Sequence, residues 1–226
     1  MKLYELTGIK KLNSLSVSDL IMYFIDNSKY MFAGNGAQAY VFIHPNNKEV
    51  IKFWMFDSAY ESFIKYVKEH QSNQFLPKII KGINELKFKN HTIKYIRMEK
   101  LKELNNSTTI FGVEFKNLIN AIDKHIEKKG ISKILSDYKS GVFLKTLNLY
   151  IDMFSTNNVD EKSIIEFYNT YFDFLQSSSD KSIPDLQGDN VMLRGKIPVI
   201  IDPIADQKSI LLSLDALGKS LSITPP

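Results

Sequence analysis

The chain has 226 residues, 44 % of them hydrophobic, and 29 Lys and Arg against 25 Asp and Glu give a formal net charge of +4. That length suffices for one ordinary domain or one two-lobed unit, and with Arg97 and Arg194 as its only arginines the chain has no basic stripe to suggest a nucleic-acid partner. Having no cysteine excludes a disulfide framework, a thiolate metal centre and a cysteine nucleophile, and fits a cytoplasmic location; no run approaches the ~18 apolar residues of a membrane span, so no membrane partner is expected.

In chain order, Ser16-Val17-Ser18-Asp19 resembles a capping box that opens a short helix through Leu20, Ile21, Phe24 and Ile25. From Tyr30 the pattern turns to β: Tyr30 to Ala33, Ala39 to Ile43 and, after a Pro45-Asn46-Asn47 turn, Glu49 to Trp54. This spacing predicts three consecutive antiparallel strands. Ser58-Ala59-Tyr60-Glu61 is a second capping box, starting a helix to about His70 with Ala59, Phe63, Val67 and His70 on one face. Two further strands, around Ile79 to Ile83 or Leu86 to Phe88 and at Thr92 to Met98, complete a five-stranded sheet with one helix.

After Leu101 the character is helical. Phe115, Leu118, Ile119, Ile122 and Ile126 recur at three- and four-residue intervals before a stop at Gly130, and Val142 to Phe154 and Ser163 to Leu175 read as amphipathic helices. Val191 to Leu193 and Pro198 to Ile201 form a hairpin through Arg194-Gly195-Lys196, and Ser209 to Leu217 reads as a last helix. Sheet first and helices second predicts an α+β, bilobal fold: residues 1–98 as an N-terminal lobe, 99–226 as a reduced helical lobe, and a cleft between them.

Two stretches carry chemistry. Gly34-Asn35-Gly36-Ala37-Gln38-Ala39-Tyr40-Val41 places a glycine-rich loop between two strands, where backbone amides can approach phosphate oxygens; such a loop is also a common tight turn. Asp185-Leu186-Gln187-Gly188-Asp189-Asn190, with Asp202 twelve residues beyond Asn190, offers carboxylate and amide oxygens, the hard ligands that Mg²⁺ prefers. Turn formers alone would account for the first part, but not for an Asp at the end of the apolar strand Val199-Ile200-Ile201.

Taken with Val50-Ile51-Lys52, Leu76-Pro77-Lys78-Ile79, Met98-Glu99 and Ile201-Asp202-Pro203, these stretches resemble the protein-kinase-like superfamily over residues 30–206. In particular they are similar to the small serine/threonine kinases made early in infection by T-odd bacteriophages. The resemblance implies Mg²⁺ and ATP as cofactors and host bacterial proteins as substrates. It implies that Asp185 orients the acceptor hydroxyl or takes its proton, that Asn190 and Asp202 ligate metal, and that Gln187 hydrogen-bonds the γ-phosphate. On the nucleotide side it implies phosphate contacts from Gly34, Asn35, Gly36 and Ala37 and from Lys52, with Glu61 as its partner and Glu69 or Asp57 as the alternatives, and an adenine pocket bordered by Val41, Met98, Glu99 and Leu101.

The departures are informative. Ile183-Pro184 stands where His-Arg usually precedes the catalytic Asp, Gln187 where a Lys or His is common, and Pro203 where Phe-Gly follows the metal-binding Asp. With 24 residues after Asp202, an activation segment is not expected. Two other readings share the Asp-x-x-x-x-Asn logic: a small-molecule kinase of the aminoglycoside or choline type, and a kinase-like binding module that blocks a host or defence protein. Nucleotidyl instead of phosphoryl transfer is a further variant, and the sequence leaves the oligomeric state open.

Overall fold

The structure is a computed structural model that describes residues 29–35, 39–54, 57–88, 91–104, 110–154, 160–178 and 182–206. The expected helices at 16–27 and 209–217 lie outside these residues. Two compact units divide the chain: Met1–Asp57 with Lys78–Lys100, and Ser58–Pro77 with Leu101–Pro226.

The first unit is one antiparallel sheet. Its strands β1 (Met31–Asn35), β2 (Ala39–Ile43), β3 (Glu49–Trp54), β4 (Ile79–Phe88) and β5 (His91–Glu99) lie in the order β1-β2-β3-β5-β4. The first three follow as the alternation of β-branched and aromatic residues predicts. β4 runs through both candidate segments as a single ten-residue strand, and register shifts between Ile79 and Lys81 and between Lys81 and Asn84 break the alternation that would have shown it.

Because side chains alternate across a strand, the register assigns each residue to a face. On one face Phe32, Phe42, Phe53 and Tyr95 form an aromatic ladder with ring centroids 5.7, 5.8 and 5.6 Å apart, and Arg97 donates to the Glu49 carboxylate. The other face carries Val41, Lys52 and Met98.

The second unit holds helices α1 (Ser58–Glu69), α2 (Ile110–Lys129), α3 (Ile131–Lys139), α4 (Val142–Met153) and α5 (Glu161–Ser177). It also holds the sheet β6-β8-β9 (Lys102–Glu103, Val191–Arg194, Ile197–Ile200) and the ribbon of β7 (Ser182–Pro184) with β10 (Ile204–Asp206). Asp160 caps α5, its Oδ2 accepting from Ser163 N at 3.2 Å. The turn of the β8–β9 hairpin uses Gly195 at φ 66°, a left-handed conformation that glycine adopts without a Cβ penalty. α3 has no clear signature in the sequence because one of its buried positions is Asp137, neutralised by Lys133 at 2.7 Å and Lys129 at 3.3 Å.

The boundary expected at residue 98 needs correction, since Ser58–Pro77 groups with the helical unit and not with the sheet. Phe63 and Tyr66 of α1 each sit with ring centroids 5.3 Å from Phe174 of α5. The segment after α1 is tied down as well. Arg194 donates to the carbonyls of Gln74 at 2.8 Å and Leu76 at 2.9 Å, and Ile200 N donates to Phe75 O at 2.9 Å. Among the described residues, no helix is long and apolar enough to cross a membrane.

Candidate active site

The site begins with two antiparallel pairings that clamp two short loops together. On one side β7 pairs with β10, Pro184 opposite Ile204; on the other β8 pairs with β9, Val191 opposite Ile200. Between these clamps lie residues 185–190 and 201–203, so Asp185, Asn190 and Asp202 must emerge side by side. Backbone hydrogen bonds tighten the arrangement on both flanks of Asp202. Ile201 N donates to Asn190 O at 2.9 Å, and Asp185 N donates to Pro203 O at 2.9 Å.

Within the first loop, Gly188–Asn190 forms a one-turn 3₁₀ helix in which Asn190 N donates to Gln187 O at 2.9 Å. Asn190 Nδ2 donates to Asp185 O at 2.7 Å and to Asp185 Oδ2 at 3.1 Å. With the amide nitrogen so committed, the Asn190 carbonyl oxygen is the atom left to ligate a cation. Leu186, buried to 1 % exposure, pins the loop to the core, while Gln187 is exposed.

The electrostatics follow from this crowding. Burial raises the pKa of Asp185 most. Its hydrogen bond from Asn190 lowers it, the Asp202 charge raises it, the Gln187 side chain lowers it by hydrogen bonding, and Glu127 raises it again. A raised pKa suits a carboxylate that takes a proton from a hydroxyl during reaction.

The donor set fits Mg²⁺. One carboxylate and one amide oxygen leave coordination positions for phosphate oxygens and water, the usual mode for this ion. Among the described residues, no group of three or more His, Cys, Asp or Glu forms an all-protein metal cage.

The sheet unit carries the other predicted residues. Val41 lies opposite Lys52, Lys52 opposite Ile96 and Val50 opposite Met98, so Val41, Lys52 and Met98 share one face. Lys52 is only 8 % exposed and Met98 6 %; a lysine this buried is unusual for an ordinary strand position. Gly34 and Asn35 end β1 opposite Val41 and Tyr40, whereas Gly36 and Ala37 lie outside the described residues. The Glu99 carboxylate accepts from Lys78 N at 2.7 Å and so caps the strand edge. Glu61 lies in the first turn of α1, and Leu101, 9 % exposed, is in the helical unit.

Sequence reading of α2 stops at its apolar stripe and misses a polar one. Lys116, Asn120, Asp123 and Glu127, spaced four, three and four residues apart, follow the 185–189 loop. Lys116 Nζ binds Asp189 Oδ1 at 2.9 Å, and Gly188 N donates to Asn120 Oδ1 at 3.1 Å. Asp123 is 7 % exposed. Its pKa is pushed up to about 6, first by burial and then by the charges of Glu127 and Asp185, against a hydrogen bond from the Leu186 backbone N–H. The detectable signal was an i, i+4, i+7, i+11 run of polar residues on a helix that already has its apolar face elsewhere.

No known protein family matches the chain, and no curated protein does. Solved structures similar to it include spectinomycin phosphotransferase APH(9)-Ia with ADP and spectinomycin, at 16 % identity and a TM-score of 0.36, covering 88 % of this chain and 73 % of that one. Two others are the streptomycin–ATP–APH(2")-IIa ternary complex (14 %, 0.29, covering 89 % and 77 %) and ADP-bound aminoglycoside phosphotransferase APH(2'')-Ib (14 %, 0.30, covering 88 % and 75 %).

Proposed function

We propose that the chain is an ATP- and Mg²⁺-dependent phosphotransferase of the protein-kinase-like type that acts on a hydroxyl acceptor. The observation that carries this reading is the juxtaposition of Asp185, Asn190 and Asp202, held by the Asn190–Asp185 contact and by backbone bonds on both sides of Asp202.

Asp185 orients the acceptor hydroxyl and takes its proton as the acceptor oxygen bonds to the γ-phosphorus and the bond to the β-phosphate oxygen breaks, releasing ADP. Asn190 keeps the Asp185 carboxylate aimed, and Asn190 and Asp202 together would hold Mg²⁺, which supplies charge neutralisation on the phosphates. Lys52, with Glu61 as its expected partner, binds the α- and β-phosphates, while Val41 and Met98 offer apolar surface to adenine. Gln187, whose side chain lowers the pKa of Asp185, is assigned the γ-phosphate by the motif resemblance.

For the acceptor we propose a Ser or Thr hydroxyl of a protein. The motif resemblance to the early phage kinases supports this and narrows it to host bacterial proteins in the cytoplasm. The test incubates the chain with γ-labelled ATP, Mg²⁺ and a bacterial lysate, beside a panel of aminoglycosides and small alcohols. Label on proteins is expected from wild type and not from Asp185→Ala or Asp202→Asn, and EDTA should abolish it. Equal incorporation by wild type and Asp185→Ala overturns the phosphotransfer reading. Label only on small molecules keeps phosphotransfer and replaces the protein acceptor.

A further inference from the structure

Helix α2 approaches the catalytic loop with side chains, one per turn, that contact successive loop residues in reverse order. Lys116 reaches Asp189, Asn120 reaches Gly188 and Asp123 reaches Leu186. The Asn120 contact takes up a backbone N–H group that no turn or strand pairing satisfies, and the Asp123 carboxylate lies beside a second. Left alone, a buried donor of this kind is destabilising, so the loop gains a defined height above the helix from these partners.

Gly188 is buried, and a side chain there would collide with the Lys116 stem, so the loop backbone lies directly against that side chain. Leu186 immediately follows Asp185, and a shift of its amide moves the Asp185 Cα with it.

We propose that Asp123 and Asn120 are positioning residues: through the Leu186 and Gly188 N–H groups they fix the loop so that the Asp185 carboxylate meets the acceptor hydroxyl. This rests on the phosphotransfer reading and extends it to a helix that precedes the loop by more than fifty residues. Neither residue touches substrate.

The two differ in surroundings, and the difference makes the inference testable. Asn120 is half-buried on α2. Asp123 is enclosed, and near it the hydroxyls of Tyr168 and Tyr171 and its own Oδ1 make no hydrogen bond among the described residues. The Asp123 charge acts on both tyrosines and holds their pKa values high, with burial as the larger cause. An Asn at position 123 would keep one oxygen for Leu186 and could direct its amide toward those hydroxyls, so its acceptor role should survive loss of the charge.

The experiment measures release of inorganic phosphate from γ-labelled ATP by the full chain, with water as acceptor, for wild type, Asp185→Ala, Asn120→Ala, Asp123→Ala and Asp123→Asn. Thermal unfolding of each variant is followed in parallel. Because misplacing a reacting group by about 1 Å can cost roughly a hundredfold, Asn120→Ala and Asp123→Ala are expected to lower kcat at least about tenfold. The KM for ATP should stay within about twofold in the same variants. Asp123→Asn should recover most of the kcat lost in Asp123→Ala, which a requirement for the charge would not predict.

Wild-type kcat in folded Asn120→Ala and Asp123→Ala overturns the inference, as does an Asp123→Asn variant no better than Asp123→Ala. If Asp123→Ala does not fold, Asn120→Ala alone decides. Full turnover by Asp185→Ala would instead overturn the phosphotransfer reading itself, so the two failures cannot be confused.

Discussion

Replacing Gly188 with Ala probes the contact between loop and helix most directly. A Cβ at that position would lie 2.6 Å from Lys116 Cγ, 2.9 Å from Cε and 3.1 Å from Cδ. The Cγ position is set by the first side-chain torsion, and on a helix only two rotamers are readily available, so Lys116 cannot relieve the clash by bending its far end. It must turn away and give up Asp189, or α2 and the loop must part. Overpacking of this kind costs about 1–3 kcal/mol. The lost ion pair adds at most about 1 kcal/mol, because Asp189 is largely exposed, and the stiffer unfolded chain returns about 0.4–1 kcal/mol. The net expectation is a loss of about 1–2 kcal/mol, seen as a lower midpoint in urea at unchanged slope. In a Lys116→Ala background the obstructing stem is gone, and Gly188→Ala should cost at least about 1 kcal/mol less, a coupling a double-mutant cycle can read. A Gly188→Ala variant as stable as wild type, or one equally impaired in both backgrounds, would refute the reasoning.

Asp123 should leave a mark on stability against pH. Between its ordinary value of 3.8 and about 6 the unfolded chain has lost this proton while the folded chain keeps it, so the folded state binds more protons and stability falls as pH rises through that window. The difference between wild type and Asp123→Asn in urea midpoints, measured from pH 4 to 7, should therefore slope across the window and level off above about pH 6. Glu127→Gln removes a charge that raises the pKa of Asp185, so the acid limb of the pH–rate profile should move to lower pH, and the shift should shrink in high salt. Arg194→Ala leaves the part-buried carbonyl of Leu76 without its partner and hands the exposed one of Gln74 to water; a loss of about 1–2 kcal/mol in urea unfolding is expected, with a loss below about 0.5 kcal/mol counting against that anchoring role.

Much of the architecture was legible because the chain advertises it locally. β1 to β3 show clean alternation, and the 3.6-residue period of Phe115, Leu118, Ile119, Ile122 and Ile126 leaves one interpretation for α2. The Asp185–Asn190–Asp202 group could be read as a group because residue type and order carry its chemistry. Where local signals fail, the structure shows why. The bulges in β4 scramble its alternation, and α3 buries an Asp that only Lys129 and Lys133 make tolerable. The short pair β6 with β8 joins strands from distant parts of the chain, and β7 with β10 closes around an intervening hairpin, with no tight turn to announce either. α1 reads as a companion of the sheet by its place in the sequence, yet Phe63 and Tyr66 meet Phe174 of α5, and Asn73 just beyond the helix donates to Thr170 of α5, 97 residues later. Asn120 and Asp123 escaped notice because polar residues on a helix usually face water, and only the fold shows a loop lying over them.

The seating of α1 bears on how activity could be controlled. A helix wedged by two aromatic rings against α5 is a fixture, not a lever. Any signal that worked by swinging it would first have to unseat Phe63 and Tyr66 from Phe174, giving up about 0.5–1.5 kcal/mol per ring pair beyond the apolar area exposed. Glu61 therefore belongs to the same compact unit as Asp185, so the seat of one is built into the unit that carries the other.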